Sequence, residues 1–147
     1  MNTILLEEAI RARLIASLAM QSVDSQGVWS TVAPPGIEIG EGLDPLIVFT
    51  LQVGTDDDSQ NKQAVQAVYR VDIWDHRKNG AATAAAAYAA VYGNGSPTNA
   101  STYGLQRWRP TVSGATLSQM RRLQFGADHQ DDILNWWITF EVIQEEA

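Results

Sequence analysis

The segment from Ile133 to Ile143 carries the strongest structural signal in the sequence, a strict alternation between two sides. One side holds only large apolar residues, namely Leu134, Trp136, Ile138, Phe140 and Val142. Successive residues of a β-strand point to opposite faces, so this pattern predicts a strand with one face in the core. Any fold for this chain therefore has to provide a sheet.

Two earlier segments predict a hairpin. Leu46 to Val53 alternates with apolar residues on both sides, which is typical of an internal strand. Val65 to Trp74 alternates as well, with Ala67, Tyr69, Val71 and Ile73 on one side. The polar stretch Gly54 to Lys62 between them predicts a loop, around which we expect the two strands to pair.

Weaker patterns complete the predicted sheet. Leu105 to Arg109 and Ala115 to Phe125 are interpreted as two more strands. Gly126 to Asp132 is short enough to be the loop of a hairpin that leads into the last strand.

Two segments predict helices. Thr3 is a candidate N-cap for a helix of about four turns with Glu7 and Glu8 in its first turn. The apolar residues of that helix recur at four-residue steps: Leu6, Ile10, Leu14 and Leu18. A second helix is predicted over Ala81 to Val91, capped by Asn79 and ended by Gly93.

Two stretches are rich in glycine and proline, Val28 to Pro45 and Gly93 to Tyr103. The first predicts a long connection with one short strand, the second a loop. The order of elements predicts an α+β fold: a mostly antiparallel sheet of about four to five strands with two packed helices. The length of 147 residues fits one domain, residues 1–147.

Composition excludes several classes of protein. The chain is 45% hydrophobic and 18% charged, so it can bury a core. It has no cysteine, which excludes disulfides, zinc-thiolate sites and cysteine nucleophiles. No apolar run is long enough to span a bilayer, and charged residues interrupt the apolar N-terminal stretch. We therefore expect a soluble protein without a membrane partner that keeps its own N-terminus.

Charge is segregated along the chain. Residues 1–76 sum to −7, residues 77–127 to +6 and residues 128–147 to −6, which gives the net charge of −7. The net charge argues against general affinity for a nucleic acid backbone. Segregation arises either from strands that pair within one subunit or from a subunit whose oppositely charged faces suit head-to-tail packing.

Few residues could carry chemistry. Asp128, His129, Asp131 and Asp132 could hold a divalent cation, but a solvated hairpin turn is the better interpretation. Asp56, Asp57 and Asp58 lack the spacing of a calcium loop, and neither a nucleophile elbow nor a phosphate-binding glycine pattern occurs. The sequence predicts no enzyme and no cofactor.

The remaining candidates belong to interfaces. Trp136 and Trp74 fit core positions, whereas Trp137 and Trp108 are expected to face outward. Arg121 and Arg122 form either a solvated strand face or a subunit contact with Glu141, Glu145 and Glu146 or with Asp56 to Asp58. The predicted interface residues are Asp56, Asp57, Asp58, Arg107, Arg109, Arg121, Arg122, Trp137 and Glu141.

The element order resembles the tail completion or tail terminator proteins of tailed bacteriophages. The resemblance runs from about Leu5 to Val142. It rests on an N-terminal helix, a breaker-rich connection into Asp44 to Phe49, the segment Tyr69 to Trp74 before an alanine-rich helix, Met120 to Arg122, and a closing aromatic strand. The family has no catalytic motif to transfer.

The resemblance implies a structural virion protein at the head-proximal end of the tail. Such proteins form a ring, typically a hexamer, that caps the tail tube and joins it to the neck and head connector proteins. DNA passes through the ring without specific binding, and assembly takes place in the host cytoplasm. The long loops, Gly54 to Lys62 and Gly93 to Tyr103, would reach the partners.

Three alternatives remain open at this stage. A head completion protein, a stopper or adaptor, shares the size and the ring habit, but stoppers tend to be barrel-like and the two predicted helices favour the terminator. A small acidic metal-binding domain would use Asp128 to Asp132. A monomeric binding module would use an apolar groove beneath Trp137 and Trp108.

Overall fold

The computed structural model describes residues 3–59, 62–93 and 103–146. Its elements in chain order are α1 (Thr3–Met20), β1 (Val28–Ser30), β2 (Leu46–Ser59), β3 (Lys62–His76), a 3-10 helix (Arg77–Asn79), α2 (Ala81–Tyr92), β4 (Ala115–Leu117), β5 (Arg121–Gln130) and β6 (Ile133–Glu146). None of the helices in these ranges is both long and apolar enough to cross a bilayer.

The described strands form one six-stranded sheet in the order β1, β2, β3, β6, with β4 and β5 both paired to β6. Only β1 lies parallel to its neighbour, and the other pairs are antiparallel. The predicted α+β class is confirmed. The sheet has six strands rather than four to five: the short β1 is part of it, Ala115 to Phe125 is divided between β4 and β5, and Leu105 to Arg109 is not a strand.

The core lies between the two helices and one face of the sheet. Leu6, Ile10, Leu14 and Leu18 of α1 are buried, as their spacing predicts. The alternating apolar residues of the long strands meet them: Ile47, Phe49, Ala67, Tyr69, Val71, Ile73, Ile138, Phe140 and Val142. These sheet positions are confirmed as core positions, whereas Trp136, also assigned to the core, is only partly buried against it.

Helix α1 begins at Thr3 and has no acidic residue in its first turn. The predicted placement of Glu7 and Glu8 there is wrong, because the helix starts a turn before them. Glu7 instead accepts a hydrogen bond from the Ser30 hydroxyl at 3.1 Å. This contact fastens α1 to the short strand β1.

The predicted cap of α2 is also wrong. Gly80 occupies the N-cap position, and no side chain caps the helix. The Asn79 side chain binds instead the backbone of the long connection and a buried carboxylate: Gly40, Gly42, Leu43 and Asp75. Four partners within 3.0 Å hold it away from the helix terminus. The helix does end at Gly93, as predicted.

The polar stretch Gly54 to Lys62 was predicted as a loop, and this is wrong for its described residues. β2 and β3 pair from Leu46 and Trp74 as far as Ser59 and Lys62. Backbone hydrogen bonds do not require apolar side chains, and β3 is supported on its other side by β6. Asp56, Asp57 and Asp58 therefore lie on a strand.

Two further predictions in the second half of the chain need correction. Leu105 to Arg109 is a turn, because the N–H groups of Leu105 and Gln106 bind carbonyls at the end of α2. Of the predicted loop Gly126 to Asp132, residues 126–130 belong to β5 and only the last two residues form the turn. The predicted loop Gly93 to Tyr103 lies mostly outside the described residues.

A close backbone contact joins the end of α2 to the following turn. Gly104 has a φ of 78°, and a Cβ at this position would lie 2.3 Å from the Gly93 nitrogen. The Ser17 hydroxyl accepts from the Gly104 N–H at 2.7 Å, and Arg13 Nε donates to the Gly104 carbonyl at 2.9 Å. Glycine is required here for both its conformation and its lack of a side chain.

We expect Gly104→Ala to lower the free energy of unfolding by about 2–5 kcal/mol, measured by chemical denaturation. Left-handed backbone contributes about 1–2 kcal/mol of this loss and overpacking about 1–3 kcal/mol. Gly114→Ala is the matched control, since its φ is 77° but nothing lies within 4 Å of the added Cβ. Equal losses in the two variants would contradict the close contact with Gly93.

The Tyr69 hydroxyl is buried and has no hydrogen-bond partner among the described residues. Burial, and secondarily the negative charge of Glu7, raises the pKa of Tyr69 to about 12. A raised pKa in the folded state means that folding favours the protonated hydroxyl. The contribution of Tyr69 to the free energy of unfolding is therefore complete below the pKa of the unfolded state, about 10, and is lost above it.

We therefore expect stability to fall as the pH rises from about 10 to about 12, by on the order of 2 kcal/mol from this residue. Urea denaturation of the parent protein and of Tyr69→Phe across this range measures the effect. The variant should lose this part of the alkaline decline and should be nearly unchanged at pH 7. An identical decline in both proteins would show that Tyr69 does not cause it.

Candidate interaction surfaces

Charged residues gather at both edges of the sheet. On one side, the outer strand β2 carries Asp56, Asp57 and Asp58 near its end. We call the outer side of β2 from Thr50 to Ser59 the acidic edge. β1 covers β2 only over Ile47 to Phe49. Within the described ranges, no strand pairs with the outer side of β2 beyond that point.

On the other side, β4 and the start of β5 are bordered by three arginines. Arg109 Nε donates to the Leu117 carbonyl at 2.9 Å. The Arg107 N–H donates to the Met120 carbonyl at 3.0 Å, and Arg107 adopts a φ of 65°. Arg107 and Arg109 are exposed, and we call Arg107, Arg109 and Arg121 together the arginine edge.

The two edges lie at the same level of the sheet. Cross-strand pairing connects Asp56 to Val65, Val65 to Gln144, and Gln144 to Leu117, whose carbonyl binds Arg109. A second row, three residues away along β2, connects Val53 through Val68 and Glu141 to Arg121. Three strand spacings, about 14 Å, separate the ends of each row.

Arg121 also has a partner within the chain. It forms an ion pair and a hydrogen bond with Glu141, whose other carboxylate oxygen accepts from Gln66. The Glu141 side chain is only 10% exposed, whereas that of Arg121 is 69% exposed. Arg121 therefore neutralises a nearly buried carboxylate and still presents most of its surface to solvent.

Arg122 is held among aromatic rings on the helix-covered face. Its guanidinium carbon lies 4.4 Å from the ring centroids of both Tyr92 and Phe125. Tyr88 adds a hydroxyl at 3.5 Å and packs edge-on against Trp136 at 5.7 Å. The structure thus places Arg122 in a cation–π cluster that joins α2 to β5.

Trp137 lies on the face of the sheet that the helices leave uncovered. Arg70 stacks over its ring at 4.9 Å and pairs with Asp72 at 2.9 Å. Asn135 links this group by hydrogen bonds to Arg70 and Asp72. The polar side chains of this face therefore bind one another across β3 and β6.

The predicted groove beneath Trp137 and Trp108 is wrong. Trp108 packs against the helix-covered core with Arg13 stacked over its ring, on the opposite side of the sheet from Trp137. Trp108 therefore does not face outward as predicted. Trp74, predicted for the core, is half-buried and lies on the uncovered face.

A groove of about 510 Å³ lies on the uncovered face and includes two of the four predicted metal-ligand candidates, Asp128 and His129. Both are exposed on β5, whereas Asp131 and Asp132 lie in the following turn. Within the described part of the chain, no three histidine or carboxylate side chains are grouped to hold a metal ion.

The pairing of Arg121 with Glu141 can be tested by a double-mutant cycle. We expect Arg121→Met to lower the free energy of unfolding, because it leaves a nearly buried carboxylate without its cation. In the Glu141→Gln background the same change should have less effect, with a coupling of about 1 kcal/mol after discounting for the exposed arginine. Additive effects in urea denaturation would contradict a significant ion pair.

Comparison with known proteins gives a likeness of fold. No family model and no curated protein matches the chain. A solved chain from a structure of the virion of a native gene transfer agent particle superposes with a TM-score of 0.68 and 19% identity. The alignment covers 97% of this chain and 96% of that one. The chain therefore shares its fold, along nearly its whole length, with a chain of that virion particle.

Proposed function

We propose that this protein is a non-enzymatic structural component of a phage-like virion. In this role it forms a terminator ring, expected to be hexameric, at the head-proximal end of the tail. The ring caps the tail tube, joins it to the neck and head connector proteins, and leaves a lumen through which DNA passes.

The observation that carries the proposal is the fold shared with a chain of a gene transfer agent virion over 97% of this protein. A match of this extent includes both helices and the whole sheet, so it does not come from a common local motif. The sequence resemblance to tail terminators, from about Leu5 to Val142, agrees with it independently of the superposition.

The charged edges provide the second line of support. A ring requires heterologous contacts, in which two different surfaces of one subunit meet. The acidic edge and the arginine edge are two such surfaces, on opposite sides of one sheet. The interface residues predicted from the sequence, Asp56 to Asp58 with Arg107, Arg109 and Arg121, belong to these edges.

A head completion protein of the stopper or adaptor class is the second candidate, since the fold likeness is to a virion chain and not to a stated position in the virion. The two helices packed on one face of an open sheet favour the terminator over a barrel-like stopper. Position within the particle distinguishes the two.

We expect a label attached through the C-terminal Ala147 to appear as a ring at the head-proximal end of the tail in electron micrographs of virions. Particles assembled without the protein should have detached heads and tails of irregular length, because nothing stops tube growth. Virions carrying an unlabelled chain are the control. Label at the portal would favour the stopper class, and its absence from the particle would refute a virion role.

A further inference from the structure

We propose that the acidic edge of one copy of this chain binds the arginine edge of the next copy, with the guanidinium groups of Arg107, Arg109 and Arg121 set against the negatively charged outer side of β2. The inference deepens the proposed function, because it names the surfaces that join neighbouring subunits of the ring. It concerns contacts between copies of the chain and can be tested without the virion.

The outer side of β2 is suited to such a partner. Between Thr50 and Ser59, the described residues provide no strand that pairs with its outward N–H and C=O groups. Natural proteins usually protect an edge of this length from pairing with another strand by charged side chains, proline or a covering segment. The three consecutive aspartates of β2 place negative charge at this edge, which disfavours strand pairing and favours a positively charged partner surface.

The backbone at the arginine edge is already hydrogen-bonded, which favours a contact through side chains over strand pairing. The N–H of Met120 binds the Trp108 carbonyl, and the N–H of Arg122 binds the Gln106 side chain. Residues 106–108 therefore cover the outer side of residues 120–122. The contact at this level is made by side chains of the covering segment rather than by continued strand pairing.

The arginine edge has guanidinium N–H groups that are not used by the described residues. Within the described residues, the Arg107 guanidinium forms no hydrogen bond, and Arg109 donates only through Nε. Arg121 binds Glu141 but is 69% exposed. Guanidinium groups donate in a planar fork that matches carboxylates and carbonyl oxygens. Glu145 and Glu146 end the neighbouring strand β6, which limits the net positive charge of this edge.

The shared level of the two edges favours closure. A heterologous contact between surfaces at different levels adds a rise per subunit and produces a filament, whereas a contact without rise can close on rotation. Asp56 and Leu117 occupy the two ends of one cross-strand row. Copies joined through this row stay at one level and form a ring.

Charge reversal in pairs tests the contact. Variant A carries Asp56→Lys, Asp57→Lys and Asp58→Lys, and variant B carries Arg107→Glu and Arg109→Glu. The control variant carries Arg77→Glu and Lys78→Glu, which change two exposed cations of the 3-10 helix outside both edges. Self-association is measured by analytical ultracentrifugation against concentration and salt.

We expect the parent chain and the control variant to self-associate. Their association should weaken with added salt, since the Debye length falls from about 10 Å at 0.1 M to about 3 Å at 1 M. Variants A and B alone should each associate more than tenfold more weakly, because like charges then meet. An equimolar mixture of A and B should restore association, since each reversed edge meets an opposite charge on the other variant. Circular dichroism of each variant verifies its fold.

A parent chain that stays monomeric at all concentrations, or a mixture that does not restore association, would overturn the proposal. Failure here is distinguishable from failure of the proposed function. If the labelled protein is found in the virion but variants A and B self-associate as the parent does, only the edge contact is refuted. If mixing A and B restores association but the protein is absent from virions, only the virion role is refuted.

Discussion

Strand β3 is the element on which the rest of the structure depends, because it is paired along most of its length on both sides. β2 pairs with it from Leu46 to Ser59, and β6 pairs with it from Ile133 to Glu145. A slip of one residue in either register would turn the core face toward solvent. The burial of Tyr69, Val71 and Ile73 against the helices therefore fixes the position of both neighbours.

This double pairing also sets the levels of the charged residues at the two edges. Asp56 lies on β2 and Arg109 beside β4, far apart in sequence and on different strands. Their common level follows from the register through β3 and β6. A surface property of the subunit is thus a consequence of core packing, since the alternation that buries Tyr69 also determines which residues border each edge.

The apolar alternation made the centre of the fold predictable from the sequence. It located β6, the parts of β2 and β3 from Leu46 to Val53 and from Val65 to Trp74, and the buried face of α1, because each has a period that burial imposes. It failed where backbone hydrogen bonds decide. Aspartate is common in loops, yet backbone pairing with β3 extends the strand through Asp56 to Asp58. Asparagine is common at helix N-caps, yet the side-chain amide of Asn79 donates to carbonyls of the long connection.

The charged residues of the two edges could be selected from the sequence, but their arrangement in the fold could not. Charge segregation singled out the aspartates of β2 and the arginines between residues 107 and 122. The sequence could not separate Arg122, which is enclosed by Tyr92 and Phe125, from Arg109, which is exposed. Neighbours from α2 decide that difference, and they are distant in sequence. The tryptophans show the same limit, since Trp108 is covered by Arg13 from α1.

In this arrangement the outer side of β2 is open in the isolated subunit and covered in the assembled ring. Amide hydrogen exchange over residues 50–59, compared between the monomer and the assembly, measures this coverage. We expect rapid exchange at the outward amides of the monomer and slower exchange in the ring, because the covering arginine edge limits the access of water to them, with little change at the inward amides bound to β3. Equal exchange in both states would contradict it.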